Sequence, residues 1–562
     1  MSVTLGAKLT LARAVGAVSR LRGGGGTSLP GKLLVRMDPA AIGELAARLP
    51  RGSVLVSATN GKTTTAAMAA SIFEAAGISL VHNQAGANMA GGIASTLLDA
   101  AGRNGTISGE LGLFEVDELW LDRLAGQLHP RVLGLGNLFR DQLDRYGELE
   151  TIAERWAGAV GTGGPAERAR LVCNADDPLV ADLGRGRAQG DHEPADLDRE
   201  RAEVAGVPAQ GDHEPADLDG KRAGVGGELA QGDHGLTEDD LEQTGVLYFG
   251  VDDDSLALAG MAHAADAKHC RRCGAPYVFD AVYLGHLGHY HCESCGQRRP
   301  SPTVLARSVV LEGVRSARFQ LSTPDGEAEV KLALPGLYNV YNALAAAALG
   351  VALGISLADI VAGLESTKAA FGRAETVTVA GRETRILLVK NPAGANEVLR
   401  TLALEPGSHD LLGVLNDNTA DGHDVSWIWD ADFELLAGRV RLATCSGTRA
   451  PELALRLKYA GIEPERIRVI DDLPRALAVA TSEHPESGGG GLAGAAAKHP
   501  PTGRGRSMAA EESAAAGMES RAEGSPSQLE RAAPLYVLPT YTAMLALREM
   551  LVRRGEADSS WQ

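Results

Sequence analysis

The chain has 562 residues, 44% of them hydrophobic, and a formal net charge of -18. That length exceeds what one hydrophobic core supports, so two or three soluble domains are expected. The acidic balance disfavours a non-specific nucleic-acid binder, and the longest apolar run, Ala343 to Ala358, is too short to span a bilayer and reads as a buried helix.

Residues 1–25 place Leu5, Leu9, Leu11, Val15 and Val18 in a pattern that suits an amphipathic helix, closed by the glycines at 23–26. Lys8 and Arg13 interrupt the apolar core that a secretion signal needs, so a cytoplasmic location is expected. From about residue 33, apolar strands alternate with helical stretches: Val54–Ser57, then Thr64–Ala76, then Ser79–His82. This is the signature of a parallel sheet covered by helices, and it continues to about residue 182. The string Ala-Gln-Gly-Asp-His-Glu-Pro-Ala-Asp-Leu-Asp then occupies 188–198 and recurs at 209–219. Repeats so poor in apolar residues predict a disordered insertion over 183–243. Order is expected to return with strand Val246–Phe249, strands Ala306–Glu312 and Arg318–Ser322, and helix Val340–Leu353. A second α/β unit begins near Glu383, with strands Ile386–Val389, Leu411–Leu415 and Ile467–Ile470. A Gly-, Ala-, Ser- and Glu-rich insertion covers 484–532, before strand Leu535–Leu538 and a helix from Tyr541.

Two motifs carry chemistry. Val54-Leu-Val-Ser57 runs directly into Ala58-Thr59-Asn60-Gly61-Lys62-Thr63-Thr64-Thr65. A strand, a Gly-Lys-Thr turn and a helix place backbone N–H groups around phosphate oxygens. Lys62 supplies a point charge near the β- and γ-phosphates, and Thr63 offers a hydroxyl to Mg²⁺. A Gly-Lys-Thr triplet also fits a plain helix cap; its place after an apolar strand favours the nucleotide site. The second motif pairs Cys270-x2-Cys273 with Cys292-x2-Cys295, each pair followed by glycine. Four thiolates make a closed tetrahedral zinc site, structural rather than catalytic, and disulfides are disfavoured in a cytoplasmic chain. His269, His289 and His291 lie close enough in sequence for one to replace a cysteine. Cys173 and Cys445 stand in apolar strands and read as core.

Thr59-Asn-Gly-Lys-Thr-Thr64 resembles the Mur ligase family, and other strings follow in the family's order. They are Asn83-Gln-Ala-Gly-Ala-Asn88, Phe114-Glu115-Val-Asp117-Glu118, Asn137-Leu-Phe-Arg-Asp141-Gln-Leu-Asp144, Asn174-Ala-Asp176-Asp177, Gly336-Leu-Tyr-Asn339-Val-Tyr-Asn342 and Phe371-Gly-Arg373-Ala-Glu375. The resemblance implies ATP and Mg²⁺ as cofactors. It implies that Thr59, Asn60, Gly61, Lys62, Thr63, Thr64, Asn339, Asn342 and Arg373 bind ATP, and that Thr63 and Glu115 hold Mg²⁺. The sequence departs from ordinary members in four places, one of them the cysteine cluster at 270–295. Gln142 stands where the family has a metal-binding histidine, Arg155 or Trp156 where many members carbamylate a lysine, and Lys390-Asn-Pro-Ala-Gly394 where others read His-Asn-Pro.

The strings Leu415-Asn-Asp417-Asn-Thr-Ala-Asp421-Gly-His-Asp424-Val-Ser-Trp427-Ile-Trp429-Asp430, Ser446-Gly-Thr-Arg449 and Arg456-Leu-Lys-Tyr-Ala-Gly461 resemble one branch of that family, the ligase subunits of lipid II isoglutaminyl synthase. The implied fold is α/β: a P-loop Mur ligase central domain over 1–378, with a zinc ribbon inserted at 266–300, then a Rossmann-like α/β C-terminal domain over 379–562. The implied reaction amidates the α-carboxylate of D-glutamate in the lipid II stem, through an acyl phosphate. The implied partner is a GatD-type glutaminase that supplies ammonia. An aspartate in 416–430 is expected to serve the partner's Cys-His pair, Asp424 first and Asp421 second, against the plainer reading of an Asx turn or helix cap. Membrane contact is expected only through the lipid-linked substrate, at the inner face of the plasma membrane. An amino-acid-adding Mur-type ligase or folylpolyglutamate synthetase is the alternative, and a nucleotide-dependent scaffold without catalysis is a third reading.

Overall fold

The computed structural model describes residues 5–21, 28–83, 86–102, 104–141, 149–189, 245–261, 265–367, 373–482 and 533–557. Most of the expected insertions at 183–243 and 484–532 fall outside them. The first unit is built on β1 (Ser53–Ser57), β2 (Leu80–His82), β3 (Leu111–Glu115), β4 (Val132–Leu135), β5 (Arg170–Asn174) and β6 (Val246–Val251). It continues with the hairpin β7 (Val278–Leu284) and β8 (Leu287–His291), then β9 (Val304–Leu311), β10 (Ala317–Thr323) and β11 (Gly326–Leu332).

A nine-stranded sheet runs β11-β10-β9-β6-β5-β4-β1-β3-β2. It is parallel from β2 to β9, and β9, β10 and β11 pair antiparallel. All five residues of β1 are buried, with Leu55 in the core on one face and Val54 and Val56 in the core on the other. Strands covered on both faces read as unbroken apolar runs, which is why β1 was legible. β1 lies between β3 and β4: the chain passes from β1 to β2 and β3 on one side, then crosses to β4 on the other, so a crevice opens at the carboxyl end of β1. Helix Lys62–Ala75 starts there.

The N-terminal helix is Leu5–Leu21. Leu9 and Ala12 are fully buried, but Leu11 is half exposed, because it falls off the Leu9–Ala12–Gly16 stripe facing the helix Leu29–Met37. The apolar run from Ala343 to Ala358 is not one helix: its first part lies in the buried helix Leu337–Ala352, Gly354 (φ 72°) turns the chain, and its end opens the helix Leu357–Ser366. Among the described residues no helix is long and apolar enough to cross a membrane.

The second unit comprises β12 (Arg373–Val379), β13 (Arg382–Leu387), β14 (His409–Val414), β15 (Val440–Ser446), β16 (Ile467–Val469) and β17 (Leu535–Pro539), in the six-stranded order β12-β13-β17-β14-β15-β16. Only β12 runs antiparallel to its neighbour. Its sheet therefore takes in residues 373–378, which the family resemblance assigns to the first unit. Ala380 and Gly381 both have positive φ, 49° and 82°, and make the two-residue hairpin turn joining β12 to β13.

Arg382, 1% exposed, braces this unit. Its guanidinium reaches Asp410 on β14, the Ala480 carbonyl at 2.7 Å and the Ala533 carbonyl at 2.9 Å, so it holds the chain on both sides of residues 483–532. Arg382→Met leaves Asp410 buried with only the half-exposed Arg441 as counter-charge. A loss of about 3–5 kcal/mol in unfolding free energy is expected by denaturant titration; an unchanged midpoint contradicts it.

Candidate functional site

The candidate phosphate loop is pinned from behind at Thr59 and Asn60. Thr59 N–H donates to the Asn137 carbonyl at 2.8 Å, and Phe139 N–H donates to Thr59 Oγ1 at 3.1 Å. Asn60 N–H donates to Asn137 Oδ1 at 2.9 Å, and Asn137 Nδ2 returns a bond to the Asn60 carbonyl at 3.0 Å. Gly61 has φ +86°, and a Cβ there would collide with Asn342 Oδ1, so glycine is required twice over. Asn342 accepts from Thr65 Oγ1 at 3.3 Å and donates to Asn339 Oδ1 at 3.1 Å, which puts both asparagines behind the loop.

Lys62 begins the helix with its ammonium 2.9 Å from Glu118 Oε2 and on the Ala58 carbonyl. Burial pulls its pKa down, but Glu118, Glu115 and Asp117 outweigh burial and the net direction is up, so the lysine stays charged. Glu115 closes β3, 3% exposed. Asn83 brackets its backbone, donating to its carbonyl at 2.9 Å and accepting from its N–H at 2.8 Å, and Asn88 Nδ2 reaches Oε1 at 3.4 Å. Three carboxylates facing one lysine leave local negative charge, and a hard cation with oxygen ligands such as Mg²⁺ fits it. Glu118 has no assigned role in the sequence reading; its signal is its place three residues after a strand-end glutamate.

Thr63 is half-buried in the first turn of that helix, and Thr64 and Asn342 line a mostly apolar cleft with Tyr338, Leu284, Leu287 and Lys390. Arg373 begins β12 opposite Leu387, and its side chain lies outside the described residues. Gln142 lies outside them too. Trp156 is buried and donates from Nε1 to the Glu118 carbonyl, while Arg155 pairs with Asp122; neither offers a metal ligand.

The second unit closes the cleft. Lys390 Nζ donates to the Thr59 carbonyl at 3.0 Å and to Asp141 Oδ2 at 2.6 Å. Asn391 caps the helix Pro392–Ala403 through the Gly394 N–H and exchanges side-chain bonds with Asn60 at 3.0 and 3.3 Å. The Lys390-Asn391 string is visible in the sequence, but what it touches is not.

The sulfurs of Cys270, Cys273, Cys292 and Cys295 all lie within 4.8 Å of one another. Thiolates about 2.3 Å from a tetrahedral zinc fit that spacing. Among the described residues no histidine joins them: His289 Nε2 is 3.1 Å from the Val251 carbonyl and His291 Nδ1 is 3.1 Å from Asp280. Arg272 and Gln297 both bind Asp182, docking the ribbon on the helix Pro178–Gln189. Its hairpin tip places His286, fully buried, against the Phe139 ring at 4.6 Å, and Leu284 and Leu287 in the cleft wall. Native mass spectrometry is expected to find one zinc per chain, with Cys292→Ser losing the metal and lowering Tm; an intact Tm without zinc contradicts a structural role.

The loop after β14 separates the two aspartates. Asp421 is buried and takes Thr542 N–H at 2.7 Å and the Thr542 hydroxyl, capping the helix Tyr541–Arg553 from across the chain. Burial raises its pKa against those bonds. Asp424 is exposed and accepts Ser426 N–H at 2.8 Å, an Asx turn opening the short helix Ser426–Trp429. The Ser426 hydrogen bonds lower its pKa, so the carboxylate is charged near neutrality. Trp427 is half-buried, and Trp429, 48% exposed, meets Tyr459 edge-on at 5.7 Å.

A Gly-Lys-Thr turn at the switch point of a parallel sheet, a strand-end glutamate beside it and a second α/β unit reaching over both give the architecture of a Mur-type ligase. The Mur ligase middle domain model matches residues 56–193, and the MurT ligase C-terminal model matches 388–488. Solved structures agree on the fold. The pseudomurein peptide ligase type C of Methanothermus fervidus has a TM-score of 0.52 at 20% identity, covering 91% of this chain and 80% of that one. MurF of Acinetobacter baumannii has 0.51 at 16%, covering 93% and 80%. The lipid II isoglutaminyl synthase (glutamine-hydrolyzing) subunit MurT of Staphylococcus aureus N315 is 30% identical over 454 residues, covering 81% of this chain and 87% of that protein. Its namesake in Streptococcus pneumoniae R6 is 29% identical over 540 residues, covering 96% and 94%. The chain belongs to the MurT family of Mur ligases.

Proposed function

We propose that this chain is the ATP-using subunit of a lipid II isoglutaminyl synthase, converting the α-carboxylate of D-glutamate in the stem peptide to an amide with ammonia from a GatD-type glutaminase. The observation that carries it is the pairing of a strand–Gly-Lys-Thr–helix turn, its Lys62 facing acidic side chains, with an exposed aspartate loop, in a chain akin to MurT proteins along nearly its whole length. A carboxylate is a poor electrophile because its charge repels nucleophiles. Its oxygen attacks the γ-phosphorus of ATP, and ADP leaves. Ammonia then attacks the acyl carbon, inorganic phosphate leaves, and a proton is lost.

Thr59 to Thr64 cradle the phosphates, with Asn339 and Asn342 behind them toward the nucleoside and Arg373 at the start of the second unit. Lys62 neutralises charge near the γ-phosphate. Thr63 and Glu115 would hold Mg²⁺, which supplies further charge neutralisation when bound. Asp424 serves the partner by orienting and charging a histidine of its Cys-His pair, and Asp421 holds the loop. Zinc in the Cys270, Cys273, Cys292 and Cys295 site is structural. Ammonia needs no amino-acid pocket, consistent with Lys390 in place of the histidine string of amino-acid-adding members. Catalysis at the inner face of the plasma membrane follows from the lipid-linked substrate.

The test is ATP turnover by the chain with its partner. It is expected to need both glutamine and lipid II. Turnover stimulated by a free amino acid and indifferent to glutamine favours the amino-acid-adding alternative.

A further inference from the structure

Two ammonium groups converge on one carbonyl oxygen at the phosphate loop. Lys62 Nζ lies 3.4 Å from the Thr59 carbonyl, and Lys390 Nζ, arriving from the second unit, lies 3.0 Å from the same atom. Lys390 is also 2.6 Å from Asp141 Oδ2, and Asp141 is nearly buried, its Oδ1 having no hydrogen-bond partner among the described residues. The docking of the two units does not need this ammonium. Asn391 already locks onto Asn60 through two side-chain bonds and caps its own helix, which fixes the backbone beside Lys390 independently of the lysine side chain. Lys390 keeps 27% of its side chain accessible and lines the cleft beside Asn60, Gly61 and Gly394. A flexible cation held by a backbone carbonyl and one carboxylate, beside a loop built for phosphates, is poised to exchange those partners for a stronger anion. A terminal phosphate carries more charge than either, and charge-assisted hydrogen bonds to it are the stronger ones.

We propose that Lys390 is a second phosphate-binding cation: a nucleoside triphosphate in the loop draws its ammonium from Asp141, so that the C-terminal unit supplies charge to the terminal phosphate. This rests on the reading of Thr59 to Thr64 as a nucleotide site. It makes the position of the ammonium, not the docking of the two units, depend on whether a γ-phosphate is present, because the diphosphate leaves the ammonium nothing to reach.

The test is calorimetric titration of the full chain with Mg²⁺ and either ADP or a non-hydrolysable ATP analogue, for wild type, Lys390→Met and Lys390→Arg. Lys390→Met keeps the aliphatic stem, and its Tm is measured alongside; the arginine variant preserves the charge if methionine disturbs folding. Lys390→Met is expected to weaken the ATP analogue by about 10- to 100-fold while changing ADP by less than about twofold. Lys390→Arg is expected to recover part of that loss. Equal weakening of both nucleotides, or of neither, overturns the proposal and makes Lys390 a structural contact. A wild-type chain that binds neither nucleotide overturns the nucleotide reading and the proposal with it.

Discussion

Lys62→Ala is expected to abolish ATP-dependent amidation, with a loss of at least about 100- to 1,000-fold in kcat. The ammonium sits at the first residue of the helix leaving β1, where it neutralises Glu118 at 2.9 Å and faces Glu115 and Asp117. Removing it takes away the cation proposed to meet the γ-phosphate and turns the local field against an anion. It also strands Glu118, 3% exposed, without its counter-charge, which costs stability. A fall in activity alone does not separate the two effects. The double variant Lys62→Ala/Glu118→Gln removes both charges and is expected to regain most of the lost Tm with no return of turnover. Recovery of turnover in the double variant contradicts a role for Lys62 at the phosphates. Binding to the glutaminase subunit is expected to survive, because the loop 416–430 lies on the second unit.

Asp424→Asn is expected to lower glutamine-dependent amidation by about 100- to 10,000-fold and to leave ammonium-dependent amidation near wild type. The side chain is exposed, turned to its loop by Ser426 N–H, and the Ser426 hydrogen bonds lower its pKa, so it is charged near neutrality. Among the described residues Asp424 does not line the cleft beside Asn60 and Gly61. Added ammonium bypasses the glutaminase step, so rescue locates the defect in the partner's Cys-His pair; failure of rescue moves Asp424 to the ligase step. Asp421→Asn has a different expected outcome. That carboxylate is used inside the chain to cap the helix Tyr541–Arg553 at Thr542, so its loss is read in Tm and hits both nitrogen sources alike.

The parts of the fold most legible in the sequence are the double-sided strands. Val54-Leu-Val-Ser57 and Leu411–Leu415 are buried on both faces and leave unbroken apolar runs. β11 is legible as well, although the expected strands omit it: Ala328, Val330 and Leu332 alternate with Glu327, Glu329 and Lys331 after the turn residues Pro324-Asp325. β12 was hidden because Ala380-Gly381 is a weak hairpin signature, while the turn geometry needs positive φ at both residues. Of the site, the phosphate loop and the cysteine pairs announce themselves by local spacing. The contacts of Glu118, Asn137 and Lys390 depend on which loops the topology brings to the end of β1, and no local pattern encodes that. Arg382 is the sharpest case: an arginine in an alternating strand reads as surface, yet it is buried, tying Asp410 to two backbone carbonyls from distant segments.

The most direct measurement is mass spectrometry of lipid II after incubation with this chain, its glutaminase partner, ATP and glutamine. The expected product has one stem-peptide carboxyl OH replaced by NH₂, in amounts that depend on ATP and on the glutaminase, with ammonium able to replace glutamine. Lipid II enlarged by a whole amino acid, or left unchanged while ATP is consumed, would contradict the assignment.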